Sequence, residues 1–169
     1  MARIVVTGGA GFIGSNLGDA LIEKGFEVHA VDTMVGGKKD RLHKDVTLHE
    51  VDICDYTRLS EFFISLGDIH CIFHTAALPR VQYSIEHPKE THEVNVNGTL
   101  NVLLASKDAL ARRVVYSASS SAYGDRTTLP LPEDMPSRPL SPYGLQKYIG
   151  ELFMRLFYDV YRLPTISLR

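Results

Sequence analysis

Four glycines fall within seven residues, Gly8, Gly9, Gly11 and Gly14, between the apolar run Arg3–Val6 and a stretch where Ile13, Leu17 and Leu21 recur at helical spacing. A strand that turns this tightly into an amphipathic helix commits the chain to a β-turn-α start. The rest repeats the alternation. Further strands are expected at Glu27–Val31, Thr47–Val51, Ile69–Phe73, Arg113–Tyr116 and Thr165–Leu168. Helices are expected near Gly11–Lys24, Asp55–Ser65, Ser84–Ala111 and Ser141–Arg162. Most strand candidates are continuous apolar runs, the pattern of a parallel sheet covered on both faces. The expected fold class is therefore α/β, a doubly wound parallel sheet in three α/β/α layers. At 169 residues the chain suits one domain, 1–169.

Composition excludes several classes of function. Lysine and arginine number 18 against 20 acidic residues, a formal charge of −2, which gives no electrostatic case for nucleic acid or an anionic membrane. No apolar run approaches the roughly 20 residues of a membrane span, and Met1-Ala2-Arg3 leads straight into a strand without a signal-peptide pattern. The two cysteines, Cys54 and Cys71, have no metal-ligand spacing and suggest a reducing, cytoplasmic setting. His70 and His74 would share a strand face, but no third ligand accompanies them, so no metal site is expected.

Two segments break local rules, and such breaks mark functional sites. Asn95-Val96-Asn97-Gly98 interrupts a helical stretch, although glycine costs about 1 kcal/mol in a helix interior. A kink or two helices in tandem is the alternative reading. Asp125 to Pro142 holds five of the eight prolines and reads as a long loop at the carboxyl edge of the sheet.

The glycine turn points to a dinucleotide. Glycines at this spacing permit a tight turn and close approach of backbone to a pyrophosphate, at a helix N-terminus with free N–H groups. Asp32, 18 residues after Gly14 at the end of the second strand, suits ribose hydroxyls and disfavours a 2′-phosphate, while Lys38, Lys39 and Arg41 nearby act against that preference. Asp52 ends the third strand and could meet an adenine ring or cap the next helix. Tyr143 and Lys147 stand at i, i+4 and project from one helix face. A phenol ordinarily near 10 needs about 4 kcal/mol to titrate near neutrality. One ammonium about 4 Å away supplies that much at an effective dielectric near 20. A serine run, Ser117 to Ser121, ends the fifth strand and offers a hydroxyl beside the tyrosine.

On these residues the sequence resembles the extended short-chain dehydrogenase/reductase family, nearest to NAD-dependent nucleotide-sugar epimerases of the UDP-glucose 4-epimerase type. The resemblance runs through Thr7–Gly14, Asp32, Val51-Asp52-Ile53, His74-Thr75-Ala76-Ala77, Asn95–Thr99, the serines through Tyr123-Gly124, and Ser141–Lys147. It implies a Rossmann-type sheet and a bound NAD. Gly8, Gly11 and Gly14 would form the turn, with Phe12 and Ile13 meeting the pyrophosphate through their backbone. Asp32 would hold the ribose, and Asp52 and Ile53 the adenine. Ala76, Ala77 and Leu78 would line the cofactor cleft beside Asn95. Ser119, Tyr143 and Lys147 would be the catalytic residues, with Tyr143 and Lys147 also touching the cofactor.

The implied reaction removes the proton of the sugar 4-hydroxyl through Tyr143 while hydride passes from C4 to NAD and returns to the other face of a 4-keto sugar. UDP-glucose, UDP-galactose or an N-acetyl analogue would be the substrate. A 4,6-dehydratase is disfavoured, because those relatives carry an Asp-Glu pair where this chain has Ser120-Ser121. The alternatives are a non-catalytic NAD-binding module and a related nucleotide-sugar decarboxylase or reductase. Epimerases of this type continue past the sixth strand, so the substrate domain is expected to be absent from residues 1–169. The stripe Ile149, Leu152, Phe153, Leu156, Phe157 and Val160 exceeds one sheet contact and suggests a homodimer through helices 84–111 and 141–162.

Overall fold

The computed structural model describes residues 1–127 and 129–169. Six parallel strands form one sheet: β1 (Arg3–Thr7), β2 (Glu27–Asp32), β3 (Thr47–Glu50), β4 (Ile69–His74), β5 (Val114–Ser117) and β6 (Thr165–Leu168). Their spatial order is β3-β2-β1-β4-β5-β6. The strand order reverses between β1 and β4, which is where open α/β sheets bind ligands. β1 is the central strand, pairing β2 from Arg3↔Glu27 to Thr7↔Val31 and β4 from Arg3↔Ile69 to Thr7↔His74. Its residues Ile4, Val5 and Val6 are buried because helices cover both faces.

The helices are α1 (Phe12–Glu23), α2 (Tyr56–Leu66), α3 (Val81–Glu86), α4 (Pro88–His92), α5 (Gly98–Asp108) and α6 (Pro142–Tyr161). One core, beneath α2, α5 and α6, gathers Val5, Val31, Leu59, Phe63, Ile72, Leu103, Val114, Tyr116, Met154 and Phe157. A second, beneath α1, gathers Ile4, Val6, Leu21, Val28 and Cys71. Each such side chain contributes about 1.5–3 kcal/mol on full burial. The second sheet face is thus thinner than the first.

The expected single helix over Ser84–Ala111 is not formed as one element. Pro88 clashes sterically with a helical residue before it, and His87 accordingly leaves the helix at φ −128°, ψ 57°, splitting α3 from α4. From Glu93 to Asn97 the chain makes a π-helical turn, with residues on either side still helical. This turn is the physical content of the Asn95–Gly98 break: one extra residue per turn pushes Asn95 inward. Gly98 follows because a Cβ there would lie 2.7 Å from the Ile53 Cδ1. Residues 125–127 and 129–141 run as the expected loop, in which Arg126 donates to the carbonyls of Tyr123 and Pro136.

Candidate active site

The turn after β1 is built by what glycine lacks. Gly8 sits at φ +68°, and a Cβ on it would fall 2.7 Å from the Ala76 Cα. A Cβ on Gly9 would fall 2.5 Å from Ala30 Cβ, and one on Gly14 would meet the Gly8 carbonyl and lie 2.7 Å from Gly9 Cα. The turn is pinned by Gly8 N donating to Val31 O (2.7 Å) and Gly11 N to Gly8 O (3.0 Å). Gly11 is the N-cap of α1 and brings no side chain to its first N–H groups. Phe12 and Ile13 expose their side chains, and their amides belong to the turn whose donors lack intrahelical acceptors.

Asp32, at the end of β2, stands over this turn. Its Oδ2 accepts from Ala10 N (3.0 Å) and its Oδ1 from Met34 N (2.8 Å). Gly37 packs so closely on it that a Cβ would lie 2.8 Å from Oδ1. Asp52 does not cap α2: its Oδ1 accepts from Cys54 N (2.8 Å), and the cap is Asp55, accepting from Arg58 N (3.1 Å). The capping alternative fails because Asp52 lies a full turn too early. Ile53 is buried, and its carbonyl accepts from Asn101 Nδ2 (2.9 Å).

A buried polar chain joins the glycine turn to α6. Thr7 Oγ1 lies 2.7 Å from His74 Nδ1, and His74 Nε2 lies 2.9 Å from Thr99 Oγ1. The Thr99 hydroxyl donates to Asn95 O (2.7 Å), so it receives the Nε2–H, and His74 is neutral with its proton on Nε2. Burial, with the charge of Lys147, pushes the His74 imidazole down to about 3. Asn95 then clamps Leu78 both ways, Leu78 N to Oδ1 (2.8 Å) and Nδ2 to Leu78 O (3.1 Å). The same Nδ2 donates to Gln146 Oε1 (2.9 Å), and Gln146 Nε2 donates to Thr91 Oγ1 (3.0 Å). Ala76 and Ala77, half-buried, lie between the His74 and Leu78 anchors.

Sequence reasoning treated His74 as a bland strand residue and did not single out Gln146, Thr99 or Tyr116. A histidine closing the strand Ile69–His74 at the carboxyl edge, next to the glycine turn, was the available signal. Its two ring nitrogens serve Thr7 and Thr99.

Ser119, Tyr143 and Lys147 converge from two elements. Ser119 caps a 3-10 turn, Ser120–Ala122, accepting from Ser121 N (3.1 Å). Tyr143 begins α6, with Pro142 at its first position and Ser141 capping by accepting from Gly144 N (3.0 Å). The Tyr143 backbone N–H donates to Ser84 Oγ (3.1 Å), tying α6 to α3. Burial holds the Tyr143 phenol above its ordinary value, and its hydrogen bond with Ser119 pulls the other way. The net direction is thus opposite to the depression expected from a neighbouring lysine, because desolvation of the phenolate outweighs the other influences. Lys147 is 3% exposed, and its Nζ donates to Ser117 O (2.9 Å). Burial pushes its ammonium down to about 8.

Comparison with known proteins agrees with this geometry. Residues 4–169 match the model of the NAD dependent epimerase/dehydratase family. A UDP-glucose 4-epimerase of Schizosaccharomyces pombe is 36% identical over 159 residues, covering 88% of this chain and 44% of that protein. The structure of UDP-glucose 4-epimerase from Thermotoga maritima with UDP-glucose superposes at a TM-score of 0.94, with 36% identity over 99% of this chain and 54% of the other. The Brucella ovis UDP-glucose 4-epimerase in complex with NAD superposes at 0.95, with 31% identity over 100% and 51% of the two chains. The chain spans about half the length of the relatives it matches. The glycine turn lies at the β1/β4 reversal of a doubly wound sheet, and the chain belongs to the NAD dependent epimerase/dehydratase family.

Proposed function

We propose that these residues form the NAD-binding and catalytic half of a nucleotide-sugar 4-epimerase acting on UDP-glucose, UDP-galactose or an N-acetyl analogue. The observation that carries the reading is the meeting of Ser119, Tyr143 and Lys147 at the carboxyl edge, beside a turn with no room for side chains. NAD fits that turn. Gly8, Gly9 and Gly14 let the turn close on Ala76, Ala30 and its own backbone, so that the first N–H groups of α1, which no side chain caps, are left to supply the donors for a pyrophosphate. Phe12 and Ile13 contribute backbone N–H groups, Asp32 accepts from ribose hydroxyls, and Asp52 and Ile53 border the adenine. Ala76, Ala77, Leu78 and Asn95 wall the cleft. Lys147 and Tyr143 reach the second ribose. NAD supplies, when bound, a hydride acceptor and a positive ring.

The protein's own part is proton transfer and orientation. Tyr143 takes the proton of the sugar 4-hydroxyl and returns it, while the Ser119 hydroxyl bonds the same sugar oxygen. Against burial, the phenolate form is favoured by the hydrogen bond from Ser119 and by the N-terminal end of α6. The Asn95 clamp keeps Leu78 in register with α6, so the two walls of the cleft hold a fixed spacing.

The half-exposed Leu152, Leu156 and Val160 on α6, with the neighbouring helices, fit a homodimer face. Among the described residues no helix is long and apolar enough to cross a membrane. The two free thiols support a cytoplasmic setting. The test incubates the protein and Tyr143→Phe with NAD and UDP-glucose, UDP-N-acetylglucosamine or UDP-glucuronate, followed by product analysis. The expected outcome is 4-epimer formation by the parent, and NAD binding that persists, weakened by no more than one lost hydrogen bond, without turnover in the variant. Turnover by Tyr143→Phe, or decarboxylated or reduced products only, overturns the reading.

A further inference from the structure

Lys147 poses a problem that its assigned neighbours do not solve. It is almost wholly buried, yet it forms no salt bridge among the described residues, and its one hydrogen bond goes to the carbonyl of Ser117. A buried ammonium is costly unless something compensates the lost water. The compensating group is an aromatic face: Lys147 Nζ lies 4.7 Å from the centroid of the Tyr116 ring.

That ring is itself held. Tyr116 is fully buried on β5 and stacks on His74, with centroids 5.5 Å apart and planes at 24°. Its hydroxyl reaches the Lys147 carbonyl at 3.5 Å. Gly150, one turn beyond Lys147 on α6, makes the space: a Cβ there would lie 2.6 Å from Tyr116 Cζ and 2.8 Å from Cε1. A fully buried tyrosine wedged against a glycine on the catalytic helix does more than fill the core, because a leucine of similar bulk would pack there without an open face for the cation.

We propose that Tyr116 is a positioning residue for Lys147: its ring face, fixed by His74 and Gly150, holds the ammonium charged and pointed at the site. The inference rests on the reading of Lys147 as a functional cation, and it adds the group that keeps it one. His74, within reach of the same ring, is neutral and bridges Thr7 and Thr99, so no second cation competes for it. The other titratable groups facing this cluster are Tyr143, at the start of α6, and Glu151, on the next turn, whose carboxylate is taken by Arg169 (2.7 Å).

The test replaces Tyr116 by phenylalanine and then by its mono- and trifluorinated analogues, which keep the shape and drain the ring face of negative potential. The readout is the titration of Lys147, followed by NMR of its labelled ε-carbon in protein without added nucleotide. That readout makes failure of this inference distinguishable from failure of NAD binding. Phenylalanine is expected to leave the midpoint near that of the parent. Each step of fluorination is expected to lower it, to a total of about one pH unit. NAD affinity measured at a pH between the shifted and parent midpoints is expected to fall in the same order. A midpoint that does not move with fluorination overturns the proposal. So does a shift in Tyr116→Phe as large as in the trifluorinated protein, which would assign the effect to the hydroxyl. Circular dichroism of each variant identifies any that fails to fold, and the mono-fluorinated protein, closest to phenylalanine, then decides alone.

Discussion

Gly14→Ala separates a glycine that the phosphate turn requires from Gly18, which alanine can replace on the same helix. Gly14 lies in the first turn of α1, where alanine as a helix former would gain about 1 kcal/mol over glycine. Against that gain, the new Cβ would face backbone on two sides, meeting the Gly8 carbonyl and lying 2.7 Å from Gly9 Cα, where ordinary contact begins at 3.4 Å. Backbone cannot rotate away as a side chain can, so the turn itself must shift. Overpacking of this kind costs about 1–3 kcal/mol. The net loss of stability is therefore small, about 0–2 kcal/mol. The turn is also where the pyrophosphate must approach, and a hydrogen bond to a charged group is worth about 1.5–3 kcal/mol. Losing one weakens NAD binding by about tenfold or more. Gly18→Ala is the control on the same helix, because its Cβ would meet only Val46 Cγ2 at 3.6 Å. The assay pairs urea unfolding with calorimetric titration of NAD. Gly18→Ala should hold or gain stability and bind NAD as the parent does. Parental affinity in Gly14→Ala would refute the assignment of this turn to phosphate.

Two further outcomes test the interior. Asn95→Leu removes a buried amide that bonds Leu78 N, Leu78 O and Gln146, leaving those groups unpaired; a loss of about 2–4 kcal/mol in urea unfolding is expected. An unchanged midpoint would mean that the clamp is not maintained in solution. His74 is held at about 3 against an ordinary 6.5, so between those values the unfolded chain binds a proton that the folded chain does not. Stability contributed by neutral His74 is therefore present above pH 6.5 and lost as pH falls towards 3. His74→Gln, which has no proton to gain, should flatten that part of the stability–pH curve; an equally steep curve would place the acid lability elsewhere.

The sheet was legible because its strands are short, β-branched and separated by amphipathic stretches, and β6 is observed at Thr165–Leu168 as expected. The glycine turn and Asp32 were legible because each glycine answers a local need that the sequence spells out. The region between His74 and Lys147 was harder. A helical period over Ser84–Ala111 concealed the His87-Pro88 break, whereas Asn95-Val96-Asn97-Gly98 marked the place of the π turn without revealing its kind, since residues on both sides of a π turn keep helical geometry. The network from Thr7 through His74, Thr99 and Asn95 to Gln146 spans two strands, the π turn and two helices, far apart in sequence. No local pattern encodes such pairing. The sign of the Tyr143 shift was equally hidden, because spacing alone reveals the neighbouring charge and not the depth of burial. Tyr116 read as one more apolar strand residue, and only the structure brings its ring to Lys147.

The central claim, that this fold binds NAD through the Gly8–Gly14 turn with Asp32 at the ribose, is tested most directly by calorimetric titration with NAD and NADP of the parent and Asp32→Ala. The account predicts saturable binding of one NAD per chain, weaker binding of NADP, and a variant in which NAD weakens by about tenfold while the gap between the two closes. NAD binding that is absent from the folded parent, or that does not respond to Asp32→Ala, would contradict it.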